Sequence, residues 1–179
     1  MQWYNEPPAW SAQGNAVTLS AAPKTDFWRK THDGGIRDNG HFYYRPVSGD
    51  FVAQVRFSGN YSALYDQAGL MVRLDAGTWL KCGVEYVGDV YHASAVVTRD
   101  FSDWSVMPLD GAPDALWLRV TRHGVTLEVH VSLDGERYTM LRQAYLTDAA
   151  QVQVGVMACA PTGQGFAATF EGFEVRGEE

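Results

Sequence analysis

At 179 residues the chain has the length of one domain and can bury a core without disulfide staples. Its formal net charge of −7 argues against binding nucleic acid through a general basic footprint. No stretch approaches the roughly 20 apolar residues of a transmembrane helix, so neither nucleic acid nor membrane is expected as a partner.

Six Trp, nine Tyr and eight Phe crowd a single β core, which puts some of these rings on surfaces. The start, Met1 to Pro8, lacks the basic residues and apolar run of a signal peptide, and a cytoplasmic location is expected. Without secretion, the glycosylation sequon Asn60-Tyr61-Ser62 carries no meaning. Cys82 and Cys159 read as buried, reduced thiols. Neither has a second Cys or a His at metal-finger spacing, and no metal or cofactor is expected.

Helical periodicity is missing; short alternating runs separated by turn residues replace it. After the turn Ser48-Gly49-Asp50, residues Phe51, Ala53, Val55 and Phe57 share one face of a strand. Between Tyr65 and Trp104 three runs follow one another, joined at Asp75-Ala76-Gly77 and Gly88-Asp89. In each, an apolar face (Leu70, Val72, Leu74; Leu80, Cys82, Val84; Ala93, Ala95, Val97) alternates with a mixed one. The mixed faces carry Gln67, Met71 and Arg73, then Trp79, Lys81 and Glu85, then His92, Ser94 and Thr98. The loop Asp110–Asp114 leads to Leu116, Leu118 and Val120. His123-Gly124 turns the chain into Leu127, Val129 and Val131, and Asp134-Gly135 signals a two-residue hairpin. Val152, Val154, Val156 and Ala158 form another core face, and Phe166–Val175 closes the pattern. Gly177–Glu179 reads as a frayed tail. Many short strands without linker or repeat predict one all-β domain over residues 1–179, an antiparallel sandwich or barrel.

Several motifs carry a resemblance. They are Thr25-Asp26-Phe27-Trp28-Arg29, Arg37-Asp38-Asn39-Gly40-His41-Phe42, Gly49-Asp50-Phe51 and Tyr65-Asp66-Gln67-Ala68-Gly69-Leu70-Met71. They continue in Thr98-Arg99-Asp100-Phe101-Ser102-Asp103-Trp104, Trp117-Leu118-Arg119-Val120 and Ser132-Leu133-Asp134-Gly135. From Thr25 to Val175 the chain resembles a domain-of-unknown-function family, also called regulation-of-enolase-like, of the concanavalin A-like lectin/glucanase superfamily. The resemblance implies a two-sheet jelly roll, with one curved sheet whose outer face forms a groove. It implies no activity, because a fold does not confer one.

Three groups of residues are candidates for that groove. The first is the mixed strand face: Gln67, Arg73, Trp79, Lys81, Glu85 and His92. Lys81 and Glu85 lie four residues apart, roughly 13 Å along a strand, which suits two contacts to one extended or ring-shaped ligand. An exposed indole at Trp79 would give a flat platform for a sugar ring. The bland alternative is a solvated face with weak cross-strand pairs. The second group is the loop Asp26–His32, where Trp28, Arg29 and His32 can reach over the sheet; the alternative has Phe27 and Trp28 capping the core. The third is Thr98–Trp104, in which Arg99 can clamp an anion or pair with Asp66 or Asp100. Asp100 and Asp103 match no calcium-loop spacing and read as turn-forming side chains.

Catalytic signals are poor. The acid-x-acid pattern of the related glucanases has no counterpart, and Glu85 stands alone on its strand. Gly-x-Ser-x-Gly does not occur, and the five His are scattered. The sequence therefore leans toward a non-catalytic module holding a carbohydrate or sugar-like metabolite in the groove. A protein-interaction or regulatory module is the alternative, and a glycoside hydrolase with non-standard residues the third.

Overall fold

Alternation of apolar and polar side chains turns this chain into strands throughout. The computed structural model describes residues 1–177. Strands in the first half are β1 (Gln2–Tyr4), β2 (Ala9–Gln13), β3 (Ala16–Ala21), β4 (Phe27–Arg29), β5 (Ile36–Asp38), β6 (His41–Ser48), β7 (Phe51–Gly59) and β8 (Gln67–Asp75). There follow β9 (Thr78–Val87), β10 (Val90–Arg99), β11 (Phe101–Pro108), β12 (Leu116–His123), β13 (Thr126–Ser132), β14 (Thr139–Tyr145), β15 (Gln151–Cys159) and β16 (Phe166–Gly177). Two seven-stranded sheets result, in the orders β1-β6-β15-β8-β9-β10-β11 and β14-β13-β12-β7-β16-β3-β2. Every ladder within them is antiparallel. They pack face to face as a concanavalin A-like jelly roll. Among the described residues no helix is long and apolar enough to cross a membrane.

The core between the sheets is the one the alternation predicts. Phe51, Ala53, Val55 and Phe57 of β7 are buried, as are Leu116, Leu118 and Val120 of β12 and Leu127, Val129 and Val131 of β13. The facing sheet supplies Leu70, Val72, Leu80, Cys82, Val84, Ala93, Ala95 and Val97, with Val152, Val154, Val156 and Ala158 of β15. Each buried aliphatic side chain contributes roughly 1.5–3 kcal/mol relative to exposure. Cys82 and Cys159 are free and buried. Burial pushes the Cys82 thiol up to about 12 and the Cys159 thiol higher still.

The outer face of β8, β9 and β10 departs from the usual half-solvated pattern, since these strands are buried on both sides. The cause is a two-stranded ribbon, β4 paired with β5, laid across them. Phe27 from β4 seals a second core with Phe42, Met71, Trp79, Val96, Met157 and Cys159. Gly69 and Gly83 face each other across β8 and β9 with no bulge; the register shift falls later, between Arg73 and Asp75. A Cβ on Gly69 would lie 1.9 Å from the Cys82 carbonyl oxygen, and one on Gly83 equally close to that of Ala68.

Two turns differ from expectation. His123 pairs with Thr126, so the tight turn is Gly124-Val125, with Gly124 at φ 58°. β13 ends at Ser132 and β14 begins at Thr139, so Asp134-Gly135 sits in a six-residue loop, 133–138, and is no two-residue hairpin. The Asp134 carboxylate accepts the amides of Glu136 (2.9 Å) and Arg137 (2.8 Å), which holds that longer loop together. Of the expected frayed tail, Glu178 and Glu179 lie outside the described residues.

His41, at the start of β6, is buried. Its Nδ1–H donates to the Asn5 carbonyl (2.7 Å), and Nε2 accepts the Ala22 amide (3.0 Å). That arrangement requires a neutral ring. Burial lowers its pKa below 6.5, and the Asn5 carbonyl only partly opposes this.

Gly83→Ala is expected to destabilise the protein by about 1–3 kcal/mol, because the clash is with backbone. Thermal melting should show it as a fall of roughly 2–4 °C per kcal/mol for a chain of this size. For His41 the unfolded chain takes up the proton first as pH falls. Stability is therefore full above pH 6.5 and declines below it, through the lowered folded value. Denaturant titrations at pH 7.5 and pH 5 should show a smaller pH dependence in His41→Gln than in the unaltered protein.

Candidate functional site

The site grows from the outer face of β9, where Lys81, Gly83 and Glu85 alternate with core residues. Lys81 is only 3% exposed, yet it stays charged. Its Nζ donates to the Phe27 carbonyl (2.6 Å) and to Asp26 Oδ1 (3.1 Å). Burial pulls its pKa down, but the Asp26 carboxylate, with Glu85 farther along the strand, outweighs this and leaves it raised. Glu85, 6% exposed, lies at the other end of the strand. Its Oε2 accepts Ser94 Oγ (2.7 Å) and Trp104 Nε1 (2.8 Å). Gln67 stands opposite Glu85 in the ladder and donates its amide to the Tyr65 carbonyl (3.1 Å).

Above this floor lies an open cavity of about 740 Å³, within the usual range for small-molecule sites. Trp28, carried by the ribbon, forms one wall. Trp104 on β11 and Tyr65 form another, with their rings edge-on at 6.2 Å. The Trp28 indole donates to the Thr31 carbonyl (2.7 Å), which fixes the ring. Two lining residues, His32 and Tyr65, hold left-handed backbone at φ 77° and 69°. Such conformations cost non-glycine residues of order 1–3 kcal/mol and cluster at functional sites.

Of the ten residues singled out from sequence, Trp28, His32, Gln67, Lys81 and Glu85 line this cavity. The other five do not. Trp79 is fully buried beneath the ribbon, so the exposed indole expected there is corrected. Arg73 is also covered, held by Asp38 through two bonds of 2.8 and 2.9 Å and stacked 4.4 Å from the Tyr4 ring centre. Arg29 pairs with Asp100 (2.8 Å). Arg99 pairs with neither Asp66 nor Asp100; it lies 5.2 Å from the Tyr145 ring centre. His92 Nδ1 approaches its neighbour carbonyl at Val90 (3.0 Å). Asp100 and Asp103 form salt bridges rather than mere turns, with Arg29 and Lys30 for the first and Arg142 for the second.

Sequence reading did not single out Trp104 and Tyr65 as walls. The signal for Trp104 is parity: β10 and β11 join through Asp100 alone, so Trp104 pairs with Val96 on the groove side. Tyr65 precedes its strand, and nothing in its position announces its role. Among the described residues no group of three or more metal-ligating side chains converges.

A profile of the family described as "Protein of unknown function (DUF1349)" matches residues 3–178. The chain belongs to this family. It is 42% identical over 168 residues to Regulation of enolase protein 1 of Saccharomyces cerevisiae, covering 94% of this chain and 85% of that protein. A solved structure of a functionally unknown protein from Saccharomyces cerevisiae superposes with a TM-score of 0.96 at 39% identity, covering 99% of this chain and 96% of the other. Carbohydrate binding module CBM66 from Bacillus subtilis superposes with a TM-score of 0.61 at 12% identity, covering 97% and 94% of the two chains. At that identity the likeness concerns the fold alone.

The ribbon depends on the Lys81 contacts. Removing one partner of a buried ion pair costs about 3–5 kcal/mol, because the other charge is stranded. Lys81→Met is expected to lose stability near the low end of that range, since Asp26 keeps some solvent access. Adding Asp26→Asn should recover part of the loss. Hydrogen exchange should locate the loosening at the amides of Phe27–Asp38.

Proposed function

We propose that this protein is a non-catalytic binding module, acting as one domain, which holds a carbohydrate or sugar-like metabolite above Lys81, Glu85 and Gln67. The observation that carries this reading is the pairing of a polar floor with aromatic walls. Trp28 and Trp104 offer flat apolar faces to the C–H side of a ring, while the floor offers fixed donors and acceptors to hydroxyls. On the outer face of β9 the position between Lys81 and Glu85 is Gly83, so no side chain of that strand stands between them. The fold shared with a carbohydrate binding module supports the same reading.

A non-catalytic role is supported by the state of the other acids. Glycosidases need a pair of carboxyl groups at defined separation, one of them able to deliver a proton. Here Asp26 is committed to Lys81, Asp33 to Arg37 and Asp103 to Arg142. Arg37 and the Gly35 amide hold Asp33 down at about 2, which unfits it as an acid near neutral pH. We place the protein in the cytoplasm, a reading supported by its two free, buried cysteines.

Calorimetric titration against neutral mono- and disaccharides tests the reading. A saccharide that binds should lose at least about tenfold in affinity in Glu85→Ala or Trp28→Ala, since each removes a polar anchor or a ring face. Unchanged affinity in both would move the site elsewhere.

A protein-interaction module is the second reading, and one observation favours it. The edge strand β11 exposes Phe101, Val106 and Met107 at 57%, 40% and 39%. An exposed edge strand offers unpaired backbone groups, and contiguous apolar patches mark interaction sites. The name of the yeast relative concerns regulation, which suits this alternative. A stoichiometric protein partner together with no saccharide affinity would decide for it.

A further inference from the structure

Charge in the cavity narrows the ligand class further. Four carboxylates line it, those of Asp26, Asp33, Glu85 and Asp103, against two cations, Arg37 and Lys81. With His32 neutral these lining residues sum to −2, and Arg142, just outside the lining, meets one of those charges at Asp103. Both cations are already matched. Lys81 Nζ spends two of its three protons on Asp26 and the Phe27 carbonyl. Arg37 is held by Asp33. Among the described residues that line the cavity, no cation lacks a carboxylate partner. The acids have capacity to spare. Glu85 binds Ser94 and Trp104 through Oε2, and among the described residues Oε1 has no hydrogen-bond partner. Asp103 likewise uses only Oδ2, toward Arg142. An ionised carboxylate accepts and cannot donate, so the cavity wants hydroxyl donors from its ligand.

On this basis we propose that the cavity selects a hydroxyl-rich ligand with no anionic group and rejects the phosphorylated and acid forms of the same sugar. This proposal rests on the saccharide-binding reading above and sharpens it. Glu85 is the central acceptor: its lone free oxygen takes a ligand hydroxyl, and the third proton of Lys81 is donated to a neighbouring ligand oxygen. A sugar ring with adjacent hydroxyls satisfies both at once. A phosphate in the same place would stand beside Glu85, which has no cationic partner among the described residues, in a partly enclosed site where repulsion is screened less than in bulk water.

Matched sets of probes test this. Glucose, galactose and xylose, with cellobiose and xylobiose, would be compared with glucose 6-phosphate, galactose 6-phosphate, glucuronate and galacturonate. Saturation-transfer NMR would detect binding and calorimetry would rank it. A neutral sugar is expected to bind at least about tenfold tighter than its anionic counterpart, equal to about 1.4 kcal/mol. The gap should shrink as salt rises from 20 to 500 mM (roughly 20 to 4 Å in screening length), while neutral binding holds steady. Asp103→Asn should shrink it too, by removing a charge and releasing Arg142. Neutral and anionic sugars binding equally, or the anionic ones tighter, would overturn the charge selection and leave the saccharide reading standing. Absence of binding across the whole panel would remove both.

Discussion

Two buried cations on one sheet hold down the ribbon from which the groove takes its shape. Arg73 on β8 grips Asp38 at the end of β5, and Lys81 on β9 grips Asp26 and the Phe27 carbonyl at the start of β4. Phe27 pairs with Asp38 across the ribbon, so both clamps act at the same end. The other end is tied by Arg29 and Lys30 to Asp100 in the β10–β11 turn. Buried cations are costly to desolvate, and each finds its anion on the ribbon, whose Phe27 also packs into the core beneath it. Tyr4 adds to the first clamp by donating to Asp38 (2.6 Å) and stacking on Arg73.

This clamping divides the groove. Beneath the ribbon the outer face becomes a second, dry core around Phe27, Trp79 and Met157. Beyond its edge the same face stays open, and the ribbon presents Trp28 to that opening. One strand serves both halves: on β9, Trp79 lies wholly in the dry part, Lys81 at the boundary and Glu85 in the open part. The direction in which β9 runs thus separates the covered part of the face from the open cavity within seven residues. Lys81 belongs to both parts: its ammonium donates to the ribbon, and the residue lines the cavity.

Strand positions and their phase were legible because period-two alternation records which face is buried. The face of Leu70 and Val72, and those of Leu80, Cys82 and Val84, entered the core as the pattern required. Gly69 and Gly83 face each other across β8 and β9 and keep the register. Half of the named site residues converged on the cavity for the same reason, since they share the outer face. The other half failed on a point that alternation cannot address. Trp79 and Arg73 sit on the correct face, but what covers a face depends on a segment more than thirty positions away in the chain. Arg29 failed because Asp100, brought close only by folding, claims its guanidinium.

The sequence by itself determined the all-β class, the strands, their inward and outward faces, and the absence of a paired-acid pattern on the groove strands. These are local properties: each follows from the order of residues within a strand or turn. Tertiary structure alone decided that Phe27 plugs the groove, that Lys81 and Arg73 are anchors, and that Trp104 and Tyr65 stand beside Glu85. Those outcomes depend on long-range ion pairs and on the fit of the ribbon against the sheet. Coulomb attraction and close packing act through space, and the distance between residues along the chain carries no record of them.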